Sequence, residues 1–195
     1  MTKYETKALS VKTWPDFEKL VDANNGVWGG CWCMWYHGKK SSADDDAPEV
    51  KRAAKACLVK TGKAHAALVY DGADCVGWCQ FGSPEELPRI HNQKAYLATE
   101  PKLPNWRITC FYVGKGHRGD GVALAALAGA VEEIRKLGGG RIEGYPENTE
   151  GRKAAAAFLF NGTLSSFERA GFKRTRQIGK HKWVVSKTVR KVRNR

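Results

Sequence analysis

The chain has 195 residues, 42% apolar and 27% charged, which suits one globular domain, residues 1–195, with a core of its own. Its apolar runs are short and its first residues lack the apolar stretch of a secretory leader, so a cytoplasmic protein with no membrane span is expected. Formal net charge is +13, but ten Lys or Arg and no acid fall between Gly171 and Arg195, which leaves the rest of the chain at only +3. That basic end, with residues 187–195 as a tail, suits a phosphorylated ligand, an RNA, or solubility alone.

Residues 8–12 read as a first strand. Trp14-Pro15-Asp16 opens a short amphipathic helix with Phe17, Leu20 and Val21 on one face, ending near Asn24-Asn25-Gly26. Residues 28–36 then hold four aromatics, Trp28, Trp32, Trp35 and Tyr36, too many for an exposed loop. Cys31-Trp32-Cys33 reads as strand, with both thiols on one face. This is not the Cys-x-x-Cys of a zinc or thioredoxin site, so the six cysteines are expected to be reduced, buried thiols without a metal. Residues 39–46 read as a polar loop, and a second helix runs from Ala47-Pro48-Glu49 to about Lys60.

Residues 64–70 and 75–81 are apolar runs joined by Asp71-Gly72-Ala73-Asp74, the pattern of a β-hairpin. After a long connection, 107–113 is a strong strand and 114–121 is rich in glycine. Leu124, Leu127, Val131, Ile134 and Leu137 then fall at spacings of three and four, an amphipathic helix stopped by Gly138-Gly139-Gly140. A short strand is expected at 141–145, a helical turn around Ala154–Ala157, a helix at 164–170, and a strand pair at 173–178 and 181–188.

The chemistry concentrates in the strand–glycine loop–helix unit. Glycines there let backbone approach a ligand, and the free N–H groups of a helix start favour an anion. A P-loop would need Lys-Ser/Thr after its last glycine, where Val122-Ala123 stands. Gly114, Gly116 and Gly119, with Glu143 on the next strand, match a dinucleotide fingerprint. Too little chain follows for further βαβ units, and the upstream hairpin is antiparallel in character.

Read as Arg118-Gly119-Asp120-Gly121-Val122-Ala123, the loop resembles motif A of the GNAT acyltransferase superfamily, Arg/Gln-x-x-Gly-x-Gly/Ala. Phe167-Glu168-Arg169-Ala170-Gly171-Phe172 resembles the family's later helix ending in Gly-Phe. The order hairpin, strand, loop, helix, strand, helix, strand pair is also that of the family. The Cys-Trp-Cys-Met-Trp segment resembles a bacterial subgroup of unassigned substrate. The resemblance implies an α+β fold: a mixed, mostly antiparallel sheet flanked by helices on both faces. It implies direct acetyl transfer from acetyl-CoA to a primary amine. The strand residues Phe111 and Val113 would hold the pantetheine arm, and Arg118, Gly119, Asp120, Gly121, Val122 and Ala123 the pyrophosphate. Glu143 would be the amine's base, its alternative role being a partner for Arg141 or Arg107. The family's proton-donating tyrosine is replaced by Phe167, leaving Ser165, Ser166 or Tyr145 for that task, or no donor. Aromatics 28–36 would wall a site for an apolar, aromatic or cationic acceptor, or fill the core. An acyltransferase acting on aminoacyl-tRNA, a non-catalytic acyl-CoA binder and a homodimer stay open.

Overall fold

The computed structural model describes residues 4–23, 30–38, 47–99, 102–155 and 158–192. Strand β1 (Glu5–Ala8) leads into helix α1 (Trp14–Asp22), a 3₁₀ turn at Met34–Tyr36 and helix α2 (Pro48–Lys60). Strands β2 (His65–Asp71) and β3 (Asp74–Gly82) form the expected hairpin, followed by the short helix α3 (Gln93–Leu97). Strand β4 (Trp106–Val113), helix α4 (Val122–Lys136) and strand β5 (Gly139–Gly144) make one βαβ unit. Helix α5 (Leu164–Arg169) and strands β6 (Lys173–Gln177) and β7 (Trp183–Arg190) complete the domain.

The seven strands form one sheet in the order β1-β2-β3-β4-β5-β7-β6. Only β4 and β5 pair in parallel; every other neighbour is antiparallel. This is the mixed, mostly antiparallel sheet expected from the sequence, with helices on both faces. On one face α4 buries Leu127, Val131 and Ile134 against the strands, each worth about 2 kcal/mol. Its small residues bring it close to the sheet: a Cβ on Gly129 would lie 2.9 Å from Thr6. The other face carries α1, the 3₁₀ turn and α2, where Phe17, Trp32, Tyr36 and Trp78 form a second apolar layer.

Several local expectations need correction. The first strand is 5–8 rather than 8–12, because Thr13 Oγ1 bonds the Ser10 amide and the Ala8 carbonyl and turns the chain. Cys31–Cys33 is not strand: Trp32 and Cys33 take left-handed φ of 46° and 53°. Strand β5 begins at Gly139, not Arg141, since β7 reaches back to pair with both glycines. The sheet also takes Lys187–Arg190 from the expected tail. Ala154 and Ala155 are not helical, while Trp28, the loop 39–46 and Ala156–Ala157 lie outside the described residues.

Candidate active site

The site begins where β4 and β5 part. They pair only through Trp106↔Ile142, Arg107↔Glu143 and Ile108↔Gly144. Against β3 the register slips at the same point: Gln80 faces Cys110 and Phe81 faces Ile108, leaving Thr109 as the extra residue of a bulge. A bulge bends its strand and adds twist, which turns the rest of β4 away from β5. It also changes side-chain parity, so Ile108 and Phe111 pack beneath α4 while Cys110 and Tyr112 face the other layer.

The chain's own segment 160–163 enters this split. The Phe111 amide donates to the Phe160 carbonyl at 2.6 Å, and the Asn161 side chain donates to the Thr109 carbonyl and to Tyr36 OH. On the β5 side, the Glu147 amide donates to the Gly162 carbonyl at 3.0 Å. Amides alternate along a strand. With Phe111 pointing into the split, Val113 points there too, just past the reach of the inserted segment.

A cavity of about 630 Å³ runs from that edge to the glycine loop. Of the loop residues singled out by sequence, Arg118, Gly119, Gly121, Val122 and Ala123 line it, as do Phe111 and Val113; Asp120 does not. Gly116, Gly119 and Gly121 have φ near 90°, a conformation that disfavours a side chain, although a Cβ at any of them would meet nothing within 4 Å. Gly121 caps α4 and offers no side chain to its first amides. The first intrahelical bond runs from Ala125 to the Gly121 carbonyl, so the amides of Val122, Ala123 and Leu124 stay unused at the cavity wall. Together with the helix dipole and Arg118, they offer the chemistry that suits a phosphate-like anion.

Across the cavity, α5 presents Arg169 and the hydroxyl pair Thr163–Ser166, whose oxygens are 2.8 Å apart. Thr163 also caps α5 by accepting from the Ser166 amide. The inner end is aromatic and sulfur-rich: Trp35, Tyr36, His91, Phe160 and the thiols of Cys31, Cys33 and Cys110. His91 stacks on Trp35 at 4.3 Å, and the Arg89 guanidinium lies 4.2 Å from the same indole. Burial and the nearby Lys182 and Arg89 charges hold the His91 pKa down to about 4, so its imidazole is neutral at pH 7. A second cavity of about 520 Å³ shares His91 and Phe160 with the first and is rimmed by Glu147, Arg152 and Lys182. The two cavities meet at His91 and Phe160.

Glu143 lies outside the lining of both cavities. Its carboxylate is 1% exposed and accepts hydrogen bonds from Arg141 Nη1 and Tyr96 OH, each at 2.8 Å, and from Tyr145 OH at 3.4 Å. Tyr145 is equally buried, which removes it from the cavity; Ser165 does not line it, whereas Ser166 does. Phe167 is core: its ring packs on Phe111 and Phe172, and its edge would sit 2.3 Å from a Cβ on Gly144. His91 and Phe160 were not flagged by the sequence. Neither sits in a motif, and they come together from the long β3–β4 connection and the segment before α5. Among the described residues, no group of three or more His, Cys, Asp or Glu is arranged to hold a metal ion. No described helix is long and apolar enough to cross a membrane.

A mixed sheet whose one parallel pair opens over a glycine-capped helix defines the GNAT acetyltransferase fold, and solved structures bear out the likeness. The chain superposes on a mosquito arylalkylamine N-acetyltransferase (like 5b) with TM-score 0.56 and 14% identity, over 95% of this chain and 100% of that one. It is similar to the GNAT domain of S. lividans PAT, with TM-score 0.50 and 13% identity over 95% and 90% of the two chains. It is also similar to the ribosomal-protein-S18-alanine N-acetyltransferase of Escherichia coli, with TM-score 0.50 and 10% identity over 97% and 96%. No protein-family model matches the sequence, and no curated protein matches it.

Proposed function

We propose that the protein is a cytoplasmic acyl-CoA-dependent N-acyltransferase of GNAT type, moving an acetyl group to a primary amine by direct attack. The observation that carries this is the single cavity joining the α4 N-terminus to the open edge of β4. Its uncapped amides suit the pyrophosphate of the acyl donor, and the Val113 amide suits the arm that carries the thioester. Flat or apolar ligands without phosphate would leave those amides unused.

In this reading the amine enters through the second cavity and meets the thioester beside His91. An imidazole with a pKa of about 4 is too weak to strip a proton from an alkylammonium of pKa about 10. The amine therefore arrives as its free base, and the neutral His91 ring accepts a hydrogen bond from it and orients its lone pair. Attack sheds one N–H proton of the amine, which passes to the departing thiolate, of pKa about 8.5, by way of the Thr163–Ser166 hydroxyls on the far wall, or to water. Glu143 enters as a positioning residue that holds Tyr96 and Arg141 beneath the split. Cations at the second cavity's rim disfavour a second positive charge on the acceptor, and they favour one carrying an anionic group.

The test is acetyl-CoA titrated into the protein, followed by free-thiol release with a panel of amines. Binding at 100 times Kd raises stability by about 2.7 kcal/mol. Thiol release with at least one amine supports transfer, whereas binding without release from any amine identifies a non-catalytic acyl-CoA binder. Stabilisation by NADH instead would point to the dinucleotide alternative. The exposed basic residues Lys173 and Arg174 on the edge strand β6 favour an RNA-borne acceptor as the second reading. Such binding would weaken steeply with salt.

A further inference from the structure

Three thiols that the acyl-transfer chemistry does not use converge on the cavity wall. Cys110 lies on β4 immediately after the bulge, and Cys33 comes from the turn before the 3₁₀ helix, 77 residues away in sequence. Their Sγ atoms are 2.9 Å apart, and Cys33 and Cys110 are only 3% and 8% exposed. Cys31, half-buried, lines the same wall.

The chain holds this contact at a cost. Trp32 and Cys33 occupy left-handed backbone, a conformation that non-glycine residues seldom adopt and that the surroundings must hold in place. The conformation is fastened by Trp32 stacking on Trp14, by the Met34 amide donating to the Cys31 carbonyl, and by Gln80 Nε2 donating to the Cys33 carbonyl. Behind the thiols, Gln80 Oε1 accepts from the buried Lys55 ammonium at 2.6 Å, and His37 Nε2 accepts from it at 2.9 Å. Among the described residues Lys55 has no carboxylate partner; the hydrogen bond with Cys110 and burial push the Cys33 thiol up, and the Lys55 charge offsets this only in part.

We propose that Cys33 and Cys110 are a reversible disulfide site in the wall of the cavity, oxidised by a peroxide. One sulfur, as thiolate, attacks a peroxide oxygen, becoming a sulfenic acid as the O–O bond breaks and hydroxide leaves. The second sulfur attacks the first and forms the S–S bond. The hydroxide lost from the peroxide, the hydroxyl expelled from the sulfenic acid and the two thiol protons end in two molecules of water, so the dithiol loses two electrons and the peroxide gains them. Bonding draws the sulfurs from 2.9 Å to about 2.05 Å, a movement under 1 Å. The bridge ties the turn carrying Trp35 and Tyr36 to β4, so the cavity exists in a free and a tied form. The other cysteines cannot substitute: Cys57 is exposed on α2, Cys75 bonds the Gly77 carbonyl, and Cys79 is buried with the opposite layer.

The test needs no knowledge of substrate. The full chain is treated with hydrogen peroxide, alkylated, and mapped by mass spectrometry with and without dithiothreitol. The expected product has lost two hydrogens, carries a Cys33–Cys110 cross-link, reverts with dithiothreitol, and forms equally in Cys57→Ser. Because the bridge closes a long loop, the oxidised chain should also unfold at higher urea than the reduced one. A cross-link through Cys57, a Cys31–Cys33 bridge as the main product, over-oxidation without a bridge, or an unchanged or lowered urea midpoint would each overturn the proposal.

Discussion

Replacing Glu143 separates a positioning role from a base. The carboxylate holds Arg141 and Tyr96 at 2.8 Å each and Tyr145 at 3.4 Å, in a nearly dry environment. Truncation in Glu143→Ala leaves two buried hydroxyls and a guanidinium without their acceptor. Breaking a buried pair costs about 3–5 kcal/mol, and the low end applies because a third of the Arg141 side chain still reaches water. Glu143→Gln keeps an acceptor for Tyr96 and loses the charge, so about 1–2 kcal/mol is expected. With a urea slope of about 2 kcal/mol/M, the Gln variant's unfolding midpoint should fall by about 0.5–1 M. Turnover measured as thiol release should stay within about threefold, since loss of a true base would cost about 10²- to 10⁴-fold. An unchanged midpoint, combined with a hundredfold loss in kcat/KM that recovers at high pH, would refute this account and make Glu143 the base.

Gly121→Val should abolish acetyl-CoA binding in calorimetry: a β-branched residue at φ of 89° costs about 1–3 kcal/mol and projects into the space the ligand needs. His91→Ala should lower kcat/KM for the amine by about tenfold, the worth of one lost orienting hydrogen bond, while leaving acetyl-CoA affinity intact, as isothermal titration would show. Gly144→Ala should lose about 1–3 kcal/mol in urea unfolding, because its Cβ would strike the Phe167 ring. Acid should destabilise the fold from about pH 6.5 downward. His37 donates to the Glu86 carbonyl, accepts from Lys55, and is held near pKa 3 by burial and that ammonium. The unfolded chain takes up this proton first, near pH 6.5, so stability falls with pH until about 3, by about 4–5 kcal/mol in all. A flat urea midpoint between pH 7 and 5 would count against a neutral, half-buried His37.

What was legible in the sequence was local. The 64–81 hairpin, β4, the glycine loop and α4 announce themselves because each repeats its pattern within a few residues. The segment at Cys31–Cys33 misleads because aromatic density signals burial, not backbone shape, and nothing local marks the left-handed Trp32 and Cys33. Gly139 and Gly140 read as a helix stop, which they are, but β7 recruits them into β5 as well. Glycines signal a conformation, and only the neighbouring strand shows that the conformation belongs to a sheet.

The site divides the same way. That the glycine loop would turn at positive φ into a helix and line a cavity was legible, because glycines in that position have few other uses. Glu143 sits at the right place along β5, but its role depends on facts outside its strand. The split opens one residue later, after Ile108↔Gly144, and the face that carries Glu143 is closed by Tyr96 from the short helix α3. His91 reaches the junction of the cavities from the same connection, which carries no motif. The inserted segment 160–163 matters most for what remains open. By taking the Phe111 amide, Phe160 leaves Val113 as the next strand donor facing the split, so under the proposed function the thioester would be held close to the loop. In that reading the acyl group would point inward, toward Cys110, Tyr36 and His91, which line the same cavity. Reach into the sulfur-lined end would decide which acyl chains are accepted, and a bridge between Cys33 and Cys110 would alter that wall first.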